Sequence, residues 1–195
     1  MTTRTRPKTS ILIGVALAAV VAVAAIALAS GGGSGSSGTT VAAVPDLETG
    51  DGPVTGLGPK APQDEFAFFD GTSGTLAAYE GRPTVINFWA SWCPSCVAEM
   101  SAAFLPAQLS LGDQVSFVGF NIQDERSKAL ELVDETGVLF DLAEDPQGDL
   151  FTELGGLGMP FTVFISEAGE IIHKHNGPLT EGQLVDLINE KLLEA

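Results

Sequence analysis

The chain holds two cysteines, Cys93 and Cys96, with Pro94 and Ser95 between them. Such a pair can close a disulfide within one helical turn, staple a turn inertly, or offer two thiolates to a metal. The neighbouring residues decide among these. Thr84-Val85-Ile86-Asn87-Phe88-Trp89 is almost wholly apolar and β-prone, which predicts a strand buried on both faces. Pro94 suits the first position of a helix, where a missing N–H costs little. Val97, Met100 and Phe104 then recur at helical spacing and predict a core-facing stripe. Pro106 cannot donate to the residue four back, so the helix is expected to kink or end there. Cys93 thus falls at a strand-to-helix elbow, where unpaired N–H groups and the helix dipole favour a thiolate. That makes Cys93 the candidate nucleophile and Cys96, one turn in, the resolving thiol that opens a mixed disulfide. An inert pair is disfavoured, because apolar burial alone would not set both sulfurs at an elbow.

Composition narrows the alternatives. His173 and His175 are the two histidines, and alternation along a late strand puts both on one face. A structural zinc site usually takes four ligands, so these two would have to reach the cysteine pair. The expectation is two surface residues of a strand and no metal. The formal charge is −16, unevenly spread: Arg4, Arg6 and Lys8 come first, and the remainder sets 6 Lys/Arg against 25 Asp/Glu. An acidic surface argues against nucleic acid, which requires cations on its phosphates, and suits a protein kept soluble outside the cytoplasm.

Residues 1–10 are short, basic and polar. Residues 11–29 are 19 apolar or small residues without a charge. As a helix they would cover roughly 28 Å, close to the hydrocarbon thickness of a bilayer. Signal-peptide cores are shorter, at about 7–15 residues, although Ala27-Leu28-Ala29 reads as a small-x-small cleavage site. The length favours a single-pass transmembrane anchor over a cleaved leader, with the basic residues inside and the rest exported. Cleavage would leave a secreted protein. Residues 30–60, rich in Gly, Ser and Pro, read as a flexible linker, and residues 61–195 as the folded domain.

Within that domain, residues 65–69 and the turn at Asp70-Gly71 predict a strand and hairpin, and residues 75–79 a short turn of helix or strand. Residues 115–121 predict a second buried strand. Residues 124–136 form an amphipathic helix with Ala129, Leu132 and Val133 inward and Gly137 as its stop. Residues 138–142 predict a short strand, and residues 147–154 a short helix closed by Gly155-Gly156. Residues 161–166 and 170–175 form a hairpin through Glu167-Ala168-Gly169. Thr180 caps a last helix whose apolar face carries Leu184, Leu187, Ile188 and Leu192. This order predicts an α/β domain with a mixed central sheet and helices on both faces.

Two stretches carry a family resemblance. Phe88-Trp89-Ala90-Ser91-Trp92-Cys93-Pro94-Ser95-Cys96-Val97-Ala98-Glu99-Met100 resembles the active-site segment of membrane-anchored thioredoxin-like proteins of the TlpA, ResA and CcmG (DsbE) type. Gly158-Met159-Pro160-Phe161-Thr162-Val163-Phe164-Ile165 resembles that family's cis-proline loop and following strand. The resemblance implies a thioredoxin fold and an extracytoplasmic thiol-disulfide oxidoreductase whose redox group is the Cys93–Cys96 pair, with no other cofactor. It implies a cis bond before Pro160, with the Met159 backbone free to pair with an extended substrate. Trp92 would cover the disulfide and shape the docking surface, and Pro94 and Ser95 would tune the redox poise. Glu99 shares a helix face with Cys96, three residues earlier, and the resemblance to ResA-like proteins implies an acid-base role for it. Plain thioredoxins carry a buried Asp before the motif; here that position is Asn87, which does not titrate. Ser101 stands where the family usually has a proline.

The substrate class implied is exported protein disulfides, such as the Cys-x-x-Cys-His of an apocytochrome c kept reduced for haem attachment. The electron donor implied is a membrane protein of the CcdA type. The same fold also serves oxidases that insert disulfides into exported proteins. Copper carriers of the Sco type space their cysteines by three and use a distant His, and peroxidases place a cysteine in a Pro-x-x-x-Thr/Ser-x-x-Cys setting. Neither pattern is present.

Overall fold

The structure is a computed structural model that describes residues 58–194. The expected basic N-terminus, the anchor at residues 11–29 and the linker up to residue 57 lie outside the described residues. Among the described residues, no helix is long and apolar enough to cross a membrane.

Seven strands form one mixed sheet in the order β2-β1-β5-β4-β3-β6-β7. They are β1 (Phe66–Phe68), β2 (Ser73–Gly74), β3 (Thr84–Trp89), β4 (Ser116–Ile122), β5 (Asp141–Asp145), β6 (Phe161–Ile165) and β7 (Ile171–Asn176). β3, β4 and β5 run parallel; β6 is antiparallel to β3, β7 to β6, and β1 to β5. The helices are α1 (Pro94–Glu99), α2 (Leu105–Leu111), α3 (Arg126–Thr136), α4 (Asp149–Glu153) and α5 (Glu181–Ile188). Alternation on the central strands makes two cores. Val85 and Trp89 face Met100, Phe104, Ala129, Leu184 and Ile188, while Ile86 and Phe88 face the other way, with Leu76 and Leu154. The second core is aromatic: the Phe88 ring stacks on Phe120 at 5.3 Å and on Phe161 at 5.6 Å. All six residues of β3 are buried, so the strand leading to the cysteines has no solvent face.

Three details depart from the regular pattern. The helix that starts at Pro94 does not end at Pro106. It widens into a π-turn over Met100–Phe104 and resumes as α2, with Pro106 in the first turn, where a missing N–H is tolerated. The strand expected over residues 138–142 begins later, at Asp141. Val138 and Phe140 are core residues of the incoming loop, and the Leu139 N–H donates to the Gln108 side chain rather than to a strand neighbour. Pairing with β4 starts at Val118 opposite Asp141. The helix expected from residue 124 starts at Arg126, because Asp124 is committed elsewhere. Its stop is as expected: Gly137 adopts φ 70° and donates its N–H to Val133.

Gly119 on β4 lets the first core close. A Cβ there would lie 2.6 Å from the Phe140 ring and 2.9 Å from Trp89 Nε1. Neither ring has room to retreat in a packed interior, so overpacking should cost about 1–3 kcal/mol. Gly119→Ala is therefore expected to lower the unfolding free energy by that amount, read as a lower urea midpoint at unchanged slope. A stability within about 0.5 kcal/mol of the parent would show that the core is slack.

Candidate active site

The buried end of β3 hands the chain to a short loop. The Cys93 N–H closes it by donating to Ala90 O at 3.1 Å, and Cys93 itself is extended, at φ −99° and ψ 101°, as a helix cap should be. Its sulfur occupies the place of a capping oxygen and accepts the Cys96 N–H at 3.3 Å. Ser95 Oγ lies 3.5 Å from the same sulfur. The two cysteines are joined, with an S–S distance of 2.12 Å and Cα atoms 5.3 Å apart. They are not equivalent. Cys93 keeps 5% of its surface and lines a groove, whereas Cys96 keeps none.

That groove has a volume of about 530 Å³ and runs between the cysteine loop, the end of β4, α4 and the loop before β6. Trp92, Pro94, Ser95, Phe151, Gly158 and Met159 line it beside Cys93. The Met159–Pro160 peptide bond is cis. Trp92 is 57% exposed, and its indole N–H is anchored by donation to Gln123 O at 3.0 Å. Ser101, on the exposed side of the π-turn, turns its hydroxyl back to Val97 O at 3.4 Å.

Two further groups hold the loop, and sequence reasoning assigned them no role. Asp124 accepts the Ser91 N–H at 2.5 Å and the Ser91 hydroxyl at 2.7 Å, and Asn121 Nδ2 at 3.0 Å. Partial burial pushes its carboxyl up, but these donors and the Glu125 N–H outweigh that and hold it below the usual carboxylate range. Gln123, at φ 45°, turns its carbonyl toward Trp92 and its amide toward Gln147 O. The local signal was an Asn-x-x-Asp at the end of a buried strand, which marks a side-chain-stabilised turn but not its partner.

Glu99 sits behind the pair, 3% exposed. Its Oε1 accepts the Leu179 N–H at 2.7 Å, and its Oε2 accepts Asn87 Nδ2–H at 3.4 Å. Burial pushes its pKa from an ordinary 4.5 up to about 7, against the two hydrogen bonds, which lower it. A group with that value can hold or release a proton near neutrality, one helical turn from Cys96. His173 and His175 lie on β7. Among the described residues, no set of three or more His, Cys, Asp or Glu side chains is gathered to hold a metal ion.

The raised value makes stability depend on pH. Between pH 4.5 and about 7 the folded protein retains a proton that the unfolded chain has released. The stabilising proton is fully present below the unfolded value and is lost as pH rises through the folded one. The drop is on the order of 3 kcal/mol across this window. Urea unfolding of the oxidised protein between pH 4 and 8 should show that slope for the parent and not for Glu99→Gln. Parallel curves would place the titrating group elsewhere.

Comparison with known proteins agrees with this geometry. Over 96 residues the chain is 38% identical to the thiol:disulfide interchange protein DsbE homolog of Paracoccus denitrificans, covering 49% of this chain and 51% of that one. It is 38% identical over 101 residues to DsbE of Escherichia coli K12, covering 51% and 52%. The chain thus spans about half the length of the curated relatives it matches. The solved structure of MTB DsbF, in mixed oxidized and reduced forms, superposes with a TM-score of 0.62 at 25% identity, over 68% of this chain and 98% of that one. The fold is thioredoxin-like. The Redoxin family model matches residues 57–190, a span that takes in all seven strands, both cysteines and the capped start of α5. This chain belongs to the Redoxin family.

Proposed function

We propose that the protein is a thiol-disulfide oxidoreductase acting outside the cytoplasm on the disulfides of exported proteins. The observation that carries the reading is the asymmetry of the pair. One sulfur borders a groove and accepts a helix N–H; the other is sealed behind it. Similarity to thiol:disulfide interchange proteins supports the same reading.

In the reduced protein, the Cys93 thiolate attacks one sulfur of a substrate disulfide, expelling the other as a thiolate. The mixed disulfide lies in the groove, where the Met159 backbone and the Trp92 ring offer an extended segment something to pair with and pack on. Cys96 then loses its proton to Glu99 and attacks Cys93 Sγ. The second substrate thiolate leaves, and Cys93–Cys96 closes. Two electrons pass to the substrate, and its two sulfurs end as thiols once protonated. Cys96 supplies one of those protons through Glu99.

The direction proposed is reductive, and a Cys-x-x-Cys-His segment of apocytochrome c is the proposed substrate. Recharging the disulfide then needs a donor, proposed to be a membrane protein of the CcdA type. Residues 11–29 are proposed to anchor the protein to the cell membrane, with the folded domain outside. No cofactor beyond the cysteine pair takes part in this scheme.

Cys96→Ala should trap the first step. Incubated with an oxidised Cys-x-x-Cys-His peptide, the reduced variant is expected to form a covalent adduct on Cys93, seen by mass spectrometry. An adduct of equal yield on Cys96 in Cys93→Ala would remove the asymmetry, and a greater one would reverse the roles. The direction is read separately, by equilibrating the parent with glutathione. A potential near that of thioredoxin, about −270 mV, fits a reductant, and one near about −120 mV fits an oxidase.

A further inference from the structure

Asn87 occupies the middle of β3, directly opposite Thr162 on β6, and neither side chain is exposed. Its Nδ2 donates to Glu99 Oε2 at 3.4 Å and to Thr162 Oγ1 at 3.3 Å, both long for hydrogen bonds. Its Oδ1 is buried without a hydrogen-bond partner. A buried amide oxygen left unpaired is costly, and so is a core position spent on an amide where a leucine would pack. The geometry says what the amide is for.

Glu99 needs different neighbours in its two protonation states. Ionised, it only accepts, and it has two donors: the Leu179 N–H on Oε1 and Asn87 Nδ2 on Oε2. Protonated, it must also donate. The proton cannot sit well on Oε1, whose short bond from Leu179, at 2.7 Å, needs the better acceptor. It therefore goes to Oε2, and there the amide faces it with another donor. A half-turn about the last side-chain bond of Asn87 cures this. Oδ1 then takes the place of Nδ2, accepting from Glu99 Oε2–H on one side and from the Thr162 hydroxyl, free to rotate, on the other. One amide atom lacks a partner in either orientation, so the bonds to Glu99 and Thr162 decide which is adopted.

We propose that Asn87 is a positioning residue that reverses its side-chain amide when Glu99 gains or loses its proton, so that the carboxyl stays fixed in both states. The groups hydrogen-bonded to Glu99 are neutral, Asn87 from β3 and the Leu179 N–H ahead of α5, and so is Thr162 of β6, which pairs with Asn87. On its own helix the titratable neighbour is Cys96, once reduced. The value of the device rests on the oxidoreductase reading, since a carboxyl that exchanges a proton with Cys96 has to keep its place while doing so. The amide reversal itself is a property of the oxidised protein and is tested without any substrate.

The test is an NMR titration of the oxidised protein from pH 5 to 9, following Glu99 13Cδ and the Asn87 side-chain 15Nδ2 and its protons. The expected result is one shared midpoint for both residues, and an Asn87 signal that no longer moves over this range in Glu99→Gln. In Asn87→Leu, which can neither donate nor accept, Glu99 loses one bond in each state. Its midpoint should therefore rise only by the difference, less than about 1 pH unit, the bond to the ionised form being the stronger. An Asn87 signal that stays flat while Glu99 titrates, or a Glu99 midpoint that falls in Asn87→Leu, would overturn the proposal. Should the leucine variant not fold, the parent and Glu99→Gln titrations still decide it. A failure here would leave peptide adduct formation by Cys96→Ala untouched, so the two readings stand or fall apart.

Discussion

A sulfur placed where a helix begins meets backbone N–H groups that no carbonyl satisfies, and a thiolate answers them better than a thiol does. In this protein that sulfur is Cys93 Sγ, and the N–H is that of Cys96. The rest of the molecule serves to hold this contact at the edge of a groove. β3 is buried along its whole length, so its end cannot drift. Asp124 ties Ser91, two residues before the cysteine, to the end of β4, and Gln123 ties down the indole between them. Pro94 supplies the first helical residue at no cost in hydrogen bonds.

The other half of the chemistry is a price set by burial. A carboxyl 3% exposed, held by one backbone N–H and one long amide bond, is poorly compensated as an anion. The same deficit that weakens the fold above neutral pH keeps a proton available beside Cys96. Its one side-chain donor, Asn87 of β3, is itself paired with Thr162 across the sheet on β6, and the Leu179 N–H reaches the carboxyl from the loop before α5. A solvated glutamate on the same helix face would titrate near about 4.3 and have nothing to offer at neutrality.

Much of this was legible in the sequence, for reasons of locality. Residues 84–89 and the helix start at Pro94 follow from composition and from one proline, and the last hairpin from two β-prone runs around Ala168-Gly169. The resemblance supplied the fold name and the pairing of Met159-Pro160 with the cysteines, which no local pattern contains. The misplacement of β5 has a definite cause. Val138-Leu139-Phe140 looks like a strand because Val138 and Phe140 are buried, but the ladder with β4 begins only at Asp141. Contacts between distant residues left no local trace. Asp124 and Ser91 are 33 positions apart, and Leu179 and Glu99 are 80 apart. The type of Asn87 was plain, whereas its unpaired oxygen was not.

The oxidoreductase reading depends on the two sulfurs differing, and alkylation of the reduced protein measures that difference directly. With iodoacetamide, and each cysteine followed by mass spectrometry from pH 4 to 10, Cys93 should react first. Its midpoint should fall below the value of a free thiol, about 8.5. Cys96, sealed behind it, should react at least about tenfold more slowly over the lower half of that range. Equal rates at the two positions, or a Cys93 midpoint at or above that of a free thiol, would contradict the assignment of Cys93 as the nucleophile.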